Sequence, residues 1–241
     1  MKSTTLVVVL RWVLATCFAG LAACVFTPPV DPPKADAARP LPALDTALLG
    51  SLKPFQIDSN ASTLHILVYR GGPMAHLGHN HVISSRSITG KIWHTATAAN
   101  SGFEIQVPVN ALIVDDNAAR AAEGADFPLN ISEDTKSGTR ANMLRETLLD
   151  GTNYPVISIR SVSAQGPADT PVVVAAMQIK GQTRQIIVPV TVRTSGLRIQ
   201  VNGEFSIRQT DFGITPLSVA LGALQVVDTI KIKFELEAKA D

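Results

Sequence analysis

The chain has 241 residues, a length that suits one domain, or one larger all-β domain with appendages, and excludes a multi-domain machine. Apolar residues make up 46%, aromatics 5% and charged residues 17%, so small aliphatic side chains must build the core and disorder throughout is excluded. Twenty-one Lys and Arg against 20 Asp and Glu give a formal charge of +1; without a basic block, the chain lacks the electrostatic footprint of a binder of nucleic acid or of an anionic membrane surface.

Residues 1–24, MKSTTLVVVLRWVLATCFAGLAAC, have a short basic start at Lys2, an apolar run broken by Arg11, and small residues before a cysteine. This pattern is that of a secretion signal rather than a fold element. Leu21-Ala22-Ala23-Cys24 resembles the lipobox of bacterial lipoproteins, which implies a signal peptide over 1–23, acylation of Cys24 and membrane attachment through it. An uncleaved anchor and a soluble secreted form are the alternatives; Arg11 leaves the apolar run shorter than a spanning helix wants. Cleavage would remove Cys17, leaving one acylated cysteine, so no disulfide is expected. Val25, in place of the Asp that retains lipoproteins at the inner membrane, points to the outer membrane, with the domain facing the periplasm. Residues 24–50 are rich in proline, including Pro28, Pro29, Pro32, Pro33, Pro40 and Pro42, and read as an extended tether. The domain proper is expected over 51–241.

Within it, alternation of apolar and polar residues predicts strands. Thr63 to Tyr69 and Val82 to Trp93 come first, then Phe103, Ile105, Val107 and Val109 on one face. A helix is predicted over Gly138 to Asp150, where Met143, Leu144, Thr147 and Leu148 recur at helical spacing. Strands follow at Val156 to Ser163 and Val172 to Lys180, then through Ile186, Val188, Val190 and Val192, and through Leu197, Ile199, Val201, Phe205 and Ile207. Turns are expected at Lys180-Gly181-Gln182 and Ser195-Gly196. Pro216 to Leu224 reads as a second short helix, because proline suits a first helical position. The last strand alternates Ile230, Ile232, Phe234, Leu236 and Ala238 with Lys231, Lys233, Glu235, Glu237 and Lys239. Faces buried on one side argue antiparallel pairing, in either a sandwich or a closed barrel; periodicity alone leaves both open.

Four segments together carry a resemblance. Asn142 to Ile159 (NMLRETLLDGTNYPVISI), Phe205 to Ile214 (FSIRQTDFGI), Met74 to Gly78 (MAHLG) and Ile179 to Thr183 (IKGQT) resemble, in order and spacing, the YceI-like family of periplasmic lipid-binding proteins. The resemblance implies an all-β fold, an extended lipocalin-like barrel of eight antiparallel strands with a short helical insertion. It further implies a non-catalytic carrier or store for a polyisoprenoid or similar long-chain amphiphile. The chain departs from the family at Arg140 and at His79-Asn80-His81, changes that bear on headgroup chemistry.

A barrel of this size is either packed solid or holds one slim ligand. Ile105, Val107, Val188, Val190, Phe205, Ile207, Ile232 and Phe234 are the expected inward-facing ligand contacts, although a one-residue slip in register would invert each of them. His76, His79 and His81 are three of five histidines; imidazole can hydrogen-bond a ligand oxygen, bind metal, or serve a loop. On an extended segment His79 and His81 share a face, a turn at Gly78 would bring His76 beside them, and the nearest acid in sequence is Asp58. Headgroup recognition at the barrel mouth is the expected role. The alternative is a periplasmic metal or haem-related binding module using the same histidines. Arg140 and Arg145 can face a headgroup or be solvated. Asp211 is expected to accept backbone amides, and Phe212 to plug the barrel. No GxSxG, HExxH or phosphate loop is present, so no enzyme, cofactor or resident metal is expected. The sequence leaves the oligomeric state open.

Overall fold

The computed structural model describes residues 40–43 and 49–240. The expected signal peptide, Cys24 and most of the tether lie outside the described residues. In chain order the first strands are β1 (Phe55–Ile57), β2 (Thr63–Val68), β3 (Arg70–Gly71), β4 (His81–Ser84), β5 (Thr89–Trp93), β6 (Gly102–Pro108) and β7 (Ile113–Val114). Two helices follow, α1 (Asn117–Glu123) and α2 (Glu133–Met143). The remaining strands are β8 (Val156–Gln165), β9 (Val172–Ile179), β10 (Gln182–Ser195), β11 (Arg198–Arg208), β12 (Ser218–Val219), β13 (Leu224–Val226) and β14 (Thr229–Lys239).

These elements make an eight-stranded antiparallel barrel with additional strands. One edge of β14 pairs with β11 along its whole length, from Arg208↔Thr229 to Arg198↔Lys239. Its other edge is shared: Lys231 to Glu235 pair with β2, while Ala238 and Lys239 pair with β1. β1 and β2 are therefore two halves of one broken stave. β5 lies beside β1 and β4 beside β2, and in turn β6 lies beside β5 and β7 beside β4. The circuit continues through β8, β9 and β10 to β11, and closure leaves these long strands without an open edge.

The alternating pattern is realised where it is strongest. On β11, Ile199 and Ile207 are buried while Glu204 and Arg208 are exposed; Leu197, expected on the inner face, stands in the turn and is 66% exposed. Lys180 and Gly181 join β9 to β10 with positive φ at both positions (49° and 74°), the backbone of a two-residue hairpin turn. The segment expected as one strand from Val82 to Trp93 is two, because the stave breaks at Ser85–Ile88.

Both helix expectations need correction. α2 starts at Glu133 and ends at Met143; Ser132 accepts the Thr135 amide as N-cap, and Glu133 and Asp134 complement the first turn. Beyond Met143 the chain folds back on itself, with Leu149 N–H donating to Met143 O and Asp150 N–H to Arg145 O. Leu144, Leu148 and Leu149 thereby pack on the core from turns, not from a continuing helix. Pro216 to Leu224 is a strand, a tight turn and a strand, since Ala220, Leu221 and Gly222 all have positive φ (49°, 55° and 89°). α1 was not expected, although Asp116 caps it by accepting the Ala118 and Ala119 amides and Gly124 ends it.

Gly90 sets the approach of β5 to β6. Its φ is +149°, and a Cβ there would stand 2.1 Å from the Glu104 carbonyl oxygen. Because the obstacle is backbone, Gly90→Ala is expected to cost about 3 kcal/mol of stability in urea denaturation. A loss under about 0.5 kcal/mol would show that the pair separates without penalty.

Candidate functional site: an apolar barrel cavity flanked by buried polar groups

Closure turns the inner faces of the strands into the wall of a cavity of about 320 Å³. It extends from Trp93, His94 and Ile199 at one end to Met143, Leu149, Phe212 and Ile214 at the other. Ile105 and Val107 of β6 and Val188 and Val190 of β10 stand on this wall. So do Phe205 and Ile207 of β11 and Ile232 and Phe234 of β14. The Phe205 and Phe234 rings meet edge to face with centroids 6.3 Å apart. Room for Phe234 comes from its cross-strand partner Gly203, where a Cβ would lie 2.7 Å from the ring.

His81 also stands on the wall. Its Nδ1 lies 2.7 Å from Asp115 Oδ2. Asp115 is fully buried and accepts the Val82 amide and an Arg120 Nη1–H on Oδ1. Arg120, equally buried, donates from Nε to Pro128 O and from Nη1 to Asn80 O, with the Phe127 ring 5.9 Å away. Burial alone pushes the Asp115 carboxyl up; the hydrogen bonds from His81 and the Val82 amide, the His81 charge and the bond from Arg120 outweigh it and hold the group below the ordinary carboxylate value. His79 stands edge-on to His81 with ring centroids 4.4 Å apart. Burial, with the neighbouring His81, Arg120 and Arg70 charges, lowers its pKa against the pull of Asp115.

A second acid ties the far end of α1. Glu123 pairs with His65 of β2 and Lys233 of β14, each at 2.7 Å. The face of α1 between these anchors covers Leu67 and Val82, with Ala119 and Phe127 closing that small core.

The structure brings His79 and His81 together as their spacing suggests, but His76 is exposed on the single turn Ala75–Leu77 and does not join them. The acid beside them is Asp115, not Asp58, which pairs with Lys239. Ligand atoms of His79, His81 and Asp115 lie within 4.8 Å of one another. A dication there would have to compete with the Arg120 guanidinium for Asp115, so the set is better built to orient the His81 ring than to ligate a metal. Arg140 donates to Asn110 O at 2.6 Å and Arg145 is exposed; neither is a wall residue, and α2 contributes Thr139 and Asn142 instead. Asp211 was expected to accept backbone amides but is held by Arg208 at 2.6 Å, and the Thr210 amide donates to Asp228. Phe212 is 1% exposed and lies on the wall.

The YceI-like domain family matches residues 55–238. Among solved structures, Burkholderia cenocepacia BcnA is similar, at 17% identity and a TM-score of 0.56, over 76% of this chain and 99% of that one. The Campylobacter jejuni YceI protein aligns at 11% identity and a TM-score of 0.49, over 66% of this chain and 84% of its own. No curated protein matches the sequence.

Asp115→Asn leaves the buried Arg120 without its counter-charge and is expected to cost about 3 to 5 kcal/mol in chemical denaturation. Against the effect of burial, its hydrogen bonds hold the folded Asp115 carboxyl below the ordinary carboxylate value. Its contribution is therefore complete above that value and is lost as pH falls through the lower folded one. A stability–pH profile of the variant should thus show a shallower acid limb than the wild type; parallel limbs would contradict this.

Proposed function

The chain belongs to the YceI-like family, and we propose that its barrel is a non-catalytic binding site for one long apolar chain, a polyisoprenoid or similar amphiphile. The observation that carries the reading is the predominantly apolar wall around about 320 Å³, a volume within the roughly 300 to 1,000 Å³ of ligand pockets. Left without an occupant, such a wall bears the cost of dispersion contacts missing on its inner side. An apolar chain that covers the wall recovers much of it.

In this reading His81 is the polar contact for the ligand on a mostly apolar wall, which also carries His94, Thr139, Asn142 and Gln209. Asp115 fixes its Nδ1, which leaves Nε2 to meet a ligand oxygen. His79, edge-on to it, supports that ring. The chain serves transport or storage of its cargo in the periplasm, held to the outer membrane by acyl groups on Cys24.

Native mass spectrometry of gently purified protein, followed by lipid extraction, should find one long-chain lipid per protein. Val188→Trp fills the cavity from β10 and should lower that occupancy, at a cost of about 1 to 3 kcal/mol from overpacking. Protein purified free of lipid that also takes up none from membranes would overturn the reading.

The anchor has its own test. Cys24→Ser should move the domain from the membrane to the soluble periplasmic fraction, whereas fractionation identical to wild type would reject acylation.

A further inference from the structure

Beside the Phe212 end of the cavity, β12, β13 and β3 form a small sheet of their own. Its tip is the turn Ala220-Leu221-Gly222, in which all three residues have positive φ. Two of them are not glycine, so the backbone holds a disfavoured conformation, and the outcome is a leucine presented wholly to solvent, at 109% relative exposure. Met74 (41%), Leu77 (63%) and Val219 (47%) are exposed on the same small sheet and its adjoining loop, which is attached through Met74 N–H to Ala223 O.

Two further observations say what this surface meets. Leu217, next to β12, is 40% exposed and is also a wall residue; it is the most exposed residue of the cavity wall. The apolar interior and the apolar tip are therefore continuous at the surface. The segments 70–78 and 215–227 that build the sheet contain no Asp, Glu or Lys, and Arg70 and His76 are their only basic residues. The projection is a tight turn of exposed aliphatic side chains with no acid or lysine beside it. It has the form of an apolar wedge for the headgroup–acyl boundary of a bilayer.

We propose that this sheet docks on a lipid bilayer, with Leu221 and Val219 inserted below the headgroups, so that the opening at Leu217 faces the acyl region and an apolar chain passes between membrane and barrel without crossing water. The proposal rests on the carrier reading for its purpose, but insertion is measured apart from cargo. Insertion is driven by apolar contact, so it does not depend on anionic lipid.

The test uses the full chain carrying Cys24→Ser, to remove the acyl anchor, with phosphatidylcholine vesicles. In a Leu221→Trp variant the added tryptophan emission should shift to the blue on vesicle addition and be quenched by brominated acyl chains. Ile187→Trp, at a position 68% exposed on β10, should show neither. Leu221→Glu should reduce vesicle co-flotation roughly tenfold, as loss of one buried leucine implies, with the circular dichroism of the parent retained. No shift and no quenching at Leu221→Trp would overturn the proposal. So would binding that requires anionic lipid and disappears in salt, or a vesicle-independent shift that grows with protein concentration, which would assign the tip to a second copy. Protein that carries lipid but does not insert defeats the docking alone; protein that inserts but carries no lipid defeats the carrier reading alone.

Discussion

The barrel closes through β14, which has β11 on one edge and divides the other between β2 and β1. Everything enclosed depends on that division. Inward side chains of β14 have neighbours on both sides, Ile232 and Phe234 beside β2 and Ala238 beside β1, because each half of the broken stave finds its own stretch of edge. The break over residues 58–62 is itself tied to β14: Asp58 N–H donates to Glu237 O and the Ser62 hydroxyl to Asp58 O, while Ser62 accepts the Glu237 amide. Backbone groups that leave the ladder are thus satisfied locally, as buried polar groups require.

Closure also creates an energetic problem. Interiors normally pack at crystal-like density, and a wall that encloses free volume forgoes dispersion contacts on one side. The composition fits a wall of this kind: with aromatics at 5%, few side chains are large enough to span the space. Phe205 and Phe234 reach inward, but Gly203 lets the Phe234 ring lie against β11 rather than across the cavity. Outside, the clamped helix α1 supplies conventional packing, with Arg120, Asp115 and Glu123 making the charged contacts that hold it to the staves. The fold therefore separates a region packed for stability from one shaped for occupancy, and His81 lies where the two meet.

Period-two alternation made the long strands legible, since a strand wet on one face writes its orientation into the sequence; the wall residues of β10, β11 and β14 were readable for that reason. Stave breaks were not, because at Ser85–Ile88 apolar and polar residues continue without a gap and only pairing partners reveal the interruption. The helix reading failed at its apolar end: Leu144 and Leu148 have helical spacing but reach the core through turns, whereas the legible signal was the Ser132 cap followed by two acids. α1 carried an equally plain signal in Asp116 and Gly124. The polar set was half legible. His79 and His81 lie two residues apart and share a face, but Asp115 lies 34 residues beyond His81 and Arg120 further still, and no local pattern connects them.

The central claim is that the interior is occupied space for one apolar chain rather than a core waiting to be packed. A crystal structure of the protein purified without delipidation tests it most directly. The account predicts continuous tubular density along the barrel axis, from Trp93 past Phe205 and Phe234 toward Leu217, with those rings in the positions described here. Rotation of Phe205 and Phe234 into the axis, with the wall collapsed on them and no density beyond side chains even after incubation with long-chain lipid, would contradict it.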